Sequence, residues 1–461
     1  MVDVAVSEPE RTVLVLRFAD VGIVTYASLR VVGDPSRTVT WVVEEPILLA
    51  ALDELAAALP DPQGPETRRD AIRRALTTGP FATPDAELTV AYILGVLLIS
   101  APAWQMLGEY ETSPRAVLFV SPSARLARMP WGLLAVPTSG PSKEELIRAR
   151  ADAITRSGTQ AARIPWQLAD IGACTDGHRL IELVDVLMAV PPNVVHSPRV
   201  AAGWQARCHR PPLLVLDPRV PGQRPDSALG SVLGRPGPQT PLAQHFAAVM
   251  EQRSILPQAA TAVELFRRSD ADCAWLAGLL RQEPSRLVYV GHASAASGDL
   301  GHADRAALHL ARTEPLTAAE LMSLRLPIPP RVALLACESG GDYRFDEATG
   351  LVAAMILGGA ELVTATLWSL PTTAGYRQFV PTDDPDPSAP VPAGPDPTGP
   401  DPTDPMAEVI AAVDRAHVAE DAGCAVNAWQ REQMRRWRGG DTAASPLYWA
   451  ALATFAVDGA L

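Results

Sequence analysis

The chain of 461 residues is 48% hydrophobic and 20% charged, and its formal net charge is −13. These values are typical of a globular protein with two or three domains and a sizeable core. The negative charge argues against nucleic acid as the main partner, because phosphate binding needs a positive surface. One stretch, REQMRRWRG at 431–439, is basic. We interpret it as the exposed end of a helix, with a phosphate or nucleic-acid patch as the alternative.

Three features favour a cytoplasmic protein without a membrane partner. The N-terminus lacks the basic and apolar pattern of a signal peptide. The strongest hydrophobic run, 88–101, is shorter than the ~20 residues that span a bilayer. The scattered cysteines form no C-x-x-C pair, which is typical of a reducing compartment. They are Cys174, Cys208, Cys273, Cys337 and Cys424. The arginine-rich composition with a single lysine, Lys143, favours a bacterial source.

The first 85 residues predict a strand-rich region. Residues 11–32 alternate and are rich in valine and threonine, which predicts two antiparallel strands, and 37–43 predict a third. Residues 45–59 have apolar side chains at helical spacing. Residues 60–85 are interpreted as a linker or a short helix. The apolar run 88–101, closed by Pro102, is predicted to be a buried helix.

From residue 116 onward, apolar runs alternate with helical patterns such as 260–283 and 345–360. The apolar runs are AVLFV (116–120), LLVL (213–216), RLVYV (286–290), RVALLA (331–336) and ELVTATLW (361–368). This alternation predicts an α/β fold, a mostly parallel sheet with helices on both faces. In such sheets, ligands and chemistry gather beyond the carboxyl ends of the strands.

Residues 380–405 are predicted to form a disordered loop between the last strand and a C-terminal helix. The segment holds ten prolines and six aspartates and no basic residue. Because proline lacks the N–H and the aspartates repel one another, the segment can build neither a core nor a strand ladder.

Two strand ends carry candidate catalytic side chains. His292 follows RLVYV after one glycine, and Cys337 follows RVALLA directly. If these strands are parallel neighbours, both side chains leave the sheet at one edge, and the 45-residue separation allows the crossover. An imidazole beside a thiol can take its proton and activate it for acyl transfer. The N–H of Cys337 and one near His292 would then stabilise the oxyanion.

The same residues have plainer interpretations. A cysteine that ends an apolar strand is usually a core residue, and a histidine there usually has a structural hydrogen bond. The pattern of residues leaves both interpretations open. The glycines of 291–301 do not have the spacing of a dinucleotide-binding loop. Cys208 and His209 are adjacent, but no second ligand pair lies at the spacing of a metal site.

Together these stretches resemble CHAT-domain proteins, caspase-like cysteine peptidases related to separase and the caspases. The similar stretches, in chain order, are 116–137, 178–195, 213–219, 288–294, 334–341, 346–371 and 445–459. The resemblance predicts a caspase-like domain at 86–461, after a lead-in region at 1–85. Its pseudo-subdomain would be 86–210, and its catalytic subdomain 211–379 and 406–461.

The resemblance implies a peptidase that needs neither a metal nor a cofactor. His292 would act as the general base and then protonate the leaving amine, while Cys337 would form the thioester. The backbone N–H groups of Ala293 and Cys337 would bind the oxyanion. In this superfamily, peptide substrates bind extended along strand edges.

Two departures from the family pattern bear on activity and specificity. Ala293 stands where relatives commonly have glycine; alanine keeps the N–H but resists a positive φ. Leu335 stands where some relatives carry an aspartate that selects basic side chains, so a preference for arginine or lysine is not supported.

Three acidic residues are candidates for the substrate pocket: Glu338, Asp346 and Glu347. The last two have an alternative interpretation as the acidic start of a helix at 346–357, where negative charge suits the helix dipole.

We therefore expect a cysteine endopeptidase that acts on a protein or peptide substrate. By analogy with the family, its activity would be controlled by a sensor protein, by homodimerisation or by cleavage in the 380–405 loop, in a bacterial regulatory or defence system. The alternative is a catalytically inactive CHAT-like scaffold that binds peptides or partner proteins. A nucleotide-binding α/β protein is the third hypothesis.

Overall fold

The computed structural model describes residues 11–111, 114–140, 148, 151, 171–198, 203–224, 229–296, 302–344, 349–380 and 404–457. The chain folds into two compact units. The first comprises Met1–Glu54, Leu88–Ser123 and Trp131–Ala189, and the second comprises Leu55–Glu87, Ala124–Pro130 and Val190–Leu461. Each unit is therefore assembled from separate stretches of sequence.

Strands and helices alternate along most of the chain. The strands are β1 (Val13–Val21), β2 (Val24–Val31), β3 (Asp34–Glu44), β4 (Val117–Ser121), β5 (Asp185–Ala189), β6 (Leu213–Leu216), β7 (Arg286–Val290), β8 (Ala293–Ser294), β9 (Ala307–Leu308), β10 (Leu316–Thr317), β11 (Arg331–Leu335), β12 (Leu362–Thr366) and β13 (Leu452–Ala456). The α-helices are α1 (Glu45–Ala58), α2 (Arg68–Thr77), α3 (Pro84–Leu98), α4 (Ala101–Gly108), α5 (Leu180–Leu183), α6 (Pro192–Val195), α7 (Trp204–Arg207), α8 (Pro241–Gln252), α9 (Cys273–Leu280), α10 (Ala318–Leu324), α11 (Leu351–Leu357), α12 (Thr373–Phe379), α13 (Pro405–Ala416), α14 (Ala422–Arg438) and α15 (Pro446–Trp449).

The first unit contains the strand-rich N-terminal region that the sequence predicts. β1 and β2 pair antiparallel around a tight turn, in which Gly22 has a φ of +59°; glycine adopts this conformation without strain. β3 pairs antiparallel with β2. On its other side β1 pairs in parallel with β4, which pairs in parallel with β5. Buried residues recur at every second position of β1 and β2, so these strands turn one face to the core.

The apolar run after residue 85 forms α3, as predicted, but α3 begins at Pro84 and ends at Leu98. The next helix, α4, starts after Ser100 with Pro102 in its first turn, where the missing N–H of proline costs nothing. Within the described residues, no single helix has the length and apolarity needed to cross a membrane. α3 and α4 reach that length only as a pair, and this pair is bent by 105°.

The second unit contains strands in the order β13-β12-β11-β7-β6. β12, β11, β7 and β6 run parallel, and β13 is antiparallel to β12. Every residue of these five strands is buried, as expected for strands covered on both faces. The predicted α/β fold with a mostly parallel sheet is confirmed. A small antiparallel sheet in the order β10-β9-β8, which the sequence did not predict, follows β7.

One predicted helix is interrupted. The pattern 260–283 forms a 3₁₀ turn at Ala262–Leu265 and then α9, which begins only at Cys273. Between them, Phe266 bridges to Leu216 of β6, so this stretch follows the sheet instead of a helix. Asp272 then starts α9 by accepting a hydrogen bond from the Trp275 N–H at 2.8 Å.

Two other predictions fall partly outside the described residues. α11 begins at Leu351, and residues 345–348, which include Asp346 and Glu347, are not described. Residues 381–403 of the predicted loop are also not described, and its last residues, Asp404 and Pro405, cap and begin α13.

Candidate active site

His292 and Cys337 lie at the same edge of the sheet in the second unit. β7 and β11 pair in parallel with Val290 opposite Leu335, and the Gly291 N–H continues the ladder to the Leu335 carbonyl oxygen at 3.5 Å. His292 and Cys337 each stand two residues beyond this last pair. The parallel pairing expected from the sequence is therefore present, and it brings both residues to the carboxyl ends of the strands.

Tyr289 and Gly291 fix the backbone at His292. The Tyr289 hydroxyl lies 2.7 Å from the His292 carbonyl oxygen and 2.9 Å from that of His309. A Cβ atom on Gly291 would lie 2.9 Å from this hydroxyl, so a side chain there would displace the ring. Burial raises the pKa of Tyr289. The phenol therefore stays protonated and keeps donating to the backbone.

The His292 side chain is only 6% exposed, and its Nε2 lies 3.0 Å from the Gly230 carbonyl oxygen. Because a carbonyl can only accept, the proton is on Nε2, and Nδ1 of the neutral ring holds the lone pair. Burial is the main cause that lowers the pKa of His292. The Gly230 carbonyl and Asp217 oppose this, whereas Arg68 and Arg267 add to it. The ring is therefore a neutral base near pH 7.

A buried carboxylate fixes the loop that supplies the Gly230 carbonyl. Asp217, directly after β6, accepts from the Ser231 hydroxyl at 2.6 Å and from the Val232 N–H at 3.3 Å. Arg267 donates to Asp217 at 3.2 Å and to the Gly230 carbonyl oxygen at 3.1 Å. Because Asp217 is fully buried, these bonds are made in a low dielectric and hold the loop in position.

The turn after Cys337 is packed against the end of β12. The Ser339 hydroxyl donates to the Leu334 carbonyl at 2.6 Å and accepts from the Thr366 N–H at 3.1 Å. The Gly340 N–H bonds the Thr366 carbonyl oxygen at 2.9 Å, and a Cβ atom on Gly340 would lie 3.3 Å from that oxygen. The glycine thus permits the close approach that holds the turn. Cys337 itself is half-buried.

Two backbone N–H groups at this edge of the sheet are candidates to bind an oxyanion. Within the described residues, the Cys337 N–H donates no hydrogen bond. Ala293 lies opposite Leu308 in the small sheet. The residues one step earlier, His292 and His309, form a hydrogen-bonded pair in which the His309 N–H donates to the His292 carbonyl. Because bonded pairs alternate along an antiparallel ladder, the Ala293 N–H points away from β9. Ala293 has an ordinary negative φ, so no glycine is needed for this geometry.

Glu338, the residue directly after Cys337, lines a small cleft. Much of the wall of this cleft is formed by Ala295, Ala296, Ala303 and Ala306. Glu338 forms ion pairs with Arg128 at 3.5 Å and with Arg344 at 2.6 Å, so its charge is already balanced. The other pocket candidates, Asp346 and Glu347, lie outside the described residues.

Four contributors to this site were not identified from the sequence: the Gly230 carbonyl, Asp217, Tyr289 and Arg68. Asp217 directly follows its strand, and His292 and Cys337 follow theirs within two residues, so a polar residue at a strand end is the signal that could have identified it. A carbonyl group occurs at every residue, so no sequence pattern marks Gly230. Arg68, whose Nη2 lies 3.5 Å from the Cys337 sulfur, comes from the region interpreted as a linker or a short helix.

The chain matches the family model of the CHAT domain over residues 94–380, more than half of its length. The chain belongs to the CHAT domain family, as its motifs predict. Among solved structures it is similar to a chain of the Saccharomyces cerevisiae separase–securin complex, at 11% identity and a TM-score of 0.40. The match covers 97% of this chain and only 30% of that chain. No curated protein matches the chain.

Proposed function

We propose that the protein is a cysteine endopeptidase in which His292 and Cys337 form the catalytic dyad. The observation that carries the proposal is the register of β7 and β11, which sets the two residues at equivalent positions beyond paired strand ends. The Nε2–H bond to Gly230 supports it, because this bond leaves the basic Nδ1 for the thiol. Family membership adds to this geometry.

In the proposed reaction, Nδ1 of His292 takes the thiol proton, and the Cys337 sulfur attacks the scissile carbonyl carbon. The oxygen becomes an oxyanion that the N–H groups of Cys337 and Ala293 stabilise, and in other acyl-transfer enzymes one such donor is worth about 3 kcal/mol. Collapse breaks the C–N bond as His292 gives its proton to the amine. Water, deprotonated by His292, then attacks the thioester and releases Cys337.

The substrate is proposed to be an extended peptide whose side chain before the scissile bond enters the alanine-lined cleft. Glu338 stands on its wall, but Arg128 and Arg344 already neutralise this carboxylate. Selection of a basic side chain by Glu338 would require breaking these pairs. We therefore propose a preference for a small or neutral residue at this position.

Control of the enzyme is proposed by analogy with its family alone. A sensor protein, a second copy of the chain or cleavage between 380 and 405 would switch on the dyad in a bacterial regulatory or defence system. The intact mass of the active chain tests one of these routes, because a fully active chain that stays uncut excludes cleavage as a requirement.

The test of the dyad is labelling by peptidyl chloromethyl ketones with varied residues next to the reactive carbon. We expect wild type to label at Cys337, Cys337→Ala to lose this label, and His292→Ala to label at least about 100-fold more slowly, the contribution typical of a general base. Cys273→Ala is the matched control, since Cys273 is a half-buried thiol on another element.

The inactive scaffold remains the alternative hypothesis and predicts a different result. In that case Cys337 labels no faster than Cys273, His292→Ala changes nothing, and no peptide of the library is hydrolysed. The same peptides would still bind, which fluorescence anisotropy would detect.

A further inference from the structure

Helix α2 brings a cation to the sulfur of the candidate nucleophile. Arg68 is its first residue, and the guanidinium Nη2 lies 3.5 Å from the Cys337 sulfur. A guanidinium can only donate, so the sulfur is the acceptor, and the charge-assisted bond becomes an ion pair when the sulfur ionises. The match to the CHAT family model begins at residue 94, so Arg68 lies outside it.

The backbone of α2 is held in place, so the Cα atom of Arg68 has a defined position. Thr67 caps the helix by accepting from the Asp70 N–H at 3.2 Å, and Ala71 and Ala75 are fully buried. Arg74 donates to the carboxylate of Glu66 and to the backbone carbonyls of the segment before the helix. These contacts place the start of α2 over the edge of the sheet where Cys337 emerges.

A second arginine–cysteine contact shows what is particular about Arg68. Arg312 lies 2.9 Å from the Cys273 sulfur, but Arg312 also pairs with the Glu320 carboxylate. Burial raises the pKa of Cys273 despite this arginine. Arg68, in contrast, has no carboxylate partner within the described part of the chain, where the Cys337 sulfur is its one hydrogen-bond acceptor. Its charge is therefore available to the sulfur.

We infer that Arg68 is a catalytic residue that stabilises the Cys337 thiolate, an inference that rests on the proposed endopeptidase function. When His292 takes the thiol proton, the negative sulfur is held by Arg68 until the C–S bond forms. When water has attacked the thioester, the C–S bond breaks, its electron pair returns to sulfur, and Arg68 stabilises the departing thiolate. No further reactant is required.

The experiment compares wild type, Arg68→Met and Arg68→Lys in the full chain. Iodoacetamide is added at pH 7 and at pH 10, and alkylation of Cys337 is followed by peptide mass spectrometry. Loss of this hydrogen-bonded cation from an exposed position is expected to slow alkylation at pH 7 about threefold in Arg68→Met, with partial rescue by Arg68→Lys. At pH 10 ordinary thiols are ionised, so the rates of the three proteins converge.

Arg73→Ala is the matched control, because it removes one charge from the same helix at an exposed pair with Asp70. It is expected to react as wild type, and Cys273 serves as an internal reference thiol in every sample. Unchanged alkylation in Arg68→Met overturns the inference, and so does faster alkylation, which would mean that Arg68 shields the sulfur.

The outcomes also separate this inference from the proposed function. Iodoacetamide reacts with any ionised thiol, so alkylation tests the action of Arg68 on the sulfur even in a chain that hydrolyses no peptide. If peptide hydrolysis requires His292 and Cys337 but is unchanged in Arg68→Met, the role of Arg68 is overturned and the proposed function stands.

Discussion

Asp342 is a buried carboxylate at the cleft beside Cys337, and the start of α11 determines its surroundings. Its oxygens accept from the N–H groups of Val352 at 3.2 Å and Ala353 at 2.8 Å. A Cβ atom on Gly350 would lie 2.5 Å from the carboxylate, so the helix can approach this closely only with glycine there. Burial raises the pKa of Asp342 to about 6, although the N–H bonds favour the charged form.

This raised pKa predicts a pH dependence of stability. In the unfolded state the Asp342 carboxyl has a pKa near 3.8, so the folded state binds this proton more tightly. The stabilising contribution of the bound proton is therefore complete below about pH 3.8. It is lost as pH rises through about 6, and the total change is roughly 3 kcal/mol. Asp342→Asn is expected to remove this slope, as measured by urea unfolding between pH 4 and pH 7.

Asp272→Asn is the control for this prediction, because Asp272 caps α9 at a position that is not fully buried. It should leave the slope caused by Asp342 in place. If the stability curves of wild type and Asp342→Asn run parallel from pH 4 to pH 7, burial of the Asp342 charge does not govern this dependence.

At the scale of single residues, the sequence predicted candidate groups where both residue type and position along the strand are informative. His292 and Cys337 follow apolar strands, and that position predicted their common edge. The groups that hold them were missed because their contacts are distant in sequence or made by the backbone. The Gly230 carbonyl bonds a histidine 62 residues away, and Arg68 contacts a cysteine 269 residues away.

At the scale of elements, α13 is joined to the central strands by a buried ion pair. Arg286 of β7 donates to Asp414 of α13 from both Nε and Nη2, at 2.9 and 2.7 Å, and both side chains are almost fully buried. His245 of α8 lies 3.0 Å from the second carboxylate oxygen. One carboxylate therefore links two helices to the sheet.

Removal of this carboxylate should be strongly destabilising. Asp414→Ala leaves Arg286 buried without its partner, and we expect the free energy of unfolding to fall by about 3–5 kcal/mol. Replacing both partners in Arg286→Met with Asp414→Leu should recover most of the loss, because no charge is left buried. Urea unfolding at pH 7 measures all three proteins.

The control for this prediction is Arg435→Ala, which breaks the exposed pair with Glu432 in α14. Such a pair is worth at most about 1 kcal/mol. A loss in Asp414→Ala no larger than in Arg435→Ala would contradict the assignment of the buried pair as the link between these elements.

Element prediction from periodicity succeeded where burial repeats regularly and failed where a local contact breaks the period. β6, β7, β11 and β12 are fully buried, mostly apolar runs and were predicted. The helical pattern at 260–283 breaks because Phe266 pairs with the sheet and Arg267 takes a φ of +54°. The spacing of the apolar residues shows neither the pairing nor the backbone angle.

At the scale of the whole molecule, the sequence predicted a lead-in region at 1–85 before a separate domain. The strand content of that region is confirmed, and its contacts tie it to later parts of the chain. In the first unit, β1 pairs in parallel with β4 from Val13 opposite Val117 to Arg17 opposite Ser121. In the second unit, α2 packs on α12, where Ile72 faces Gly375. Such distant pairings cannot be read from local composition.

These contacts predict the behaviour of a chain cut at the boundary. A fragment of residues 86–461 loses β1, the neighbour of β4, and it loses α2 together with Asp61, the ion-pair partner of Arg128. We therefore expect the fragment to aggregate or to unfold without a cooperative transition, as measured by circular dichroism and size-exclusion chromatography beside the full chain. Co-expression with residues 1–85 as a separate chain should restore folding, because the missing strand and helix are supplied. A monomeric fragment with the full chain's unfolding transition would instead show that residues 1–85 are dispensable for the fold.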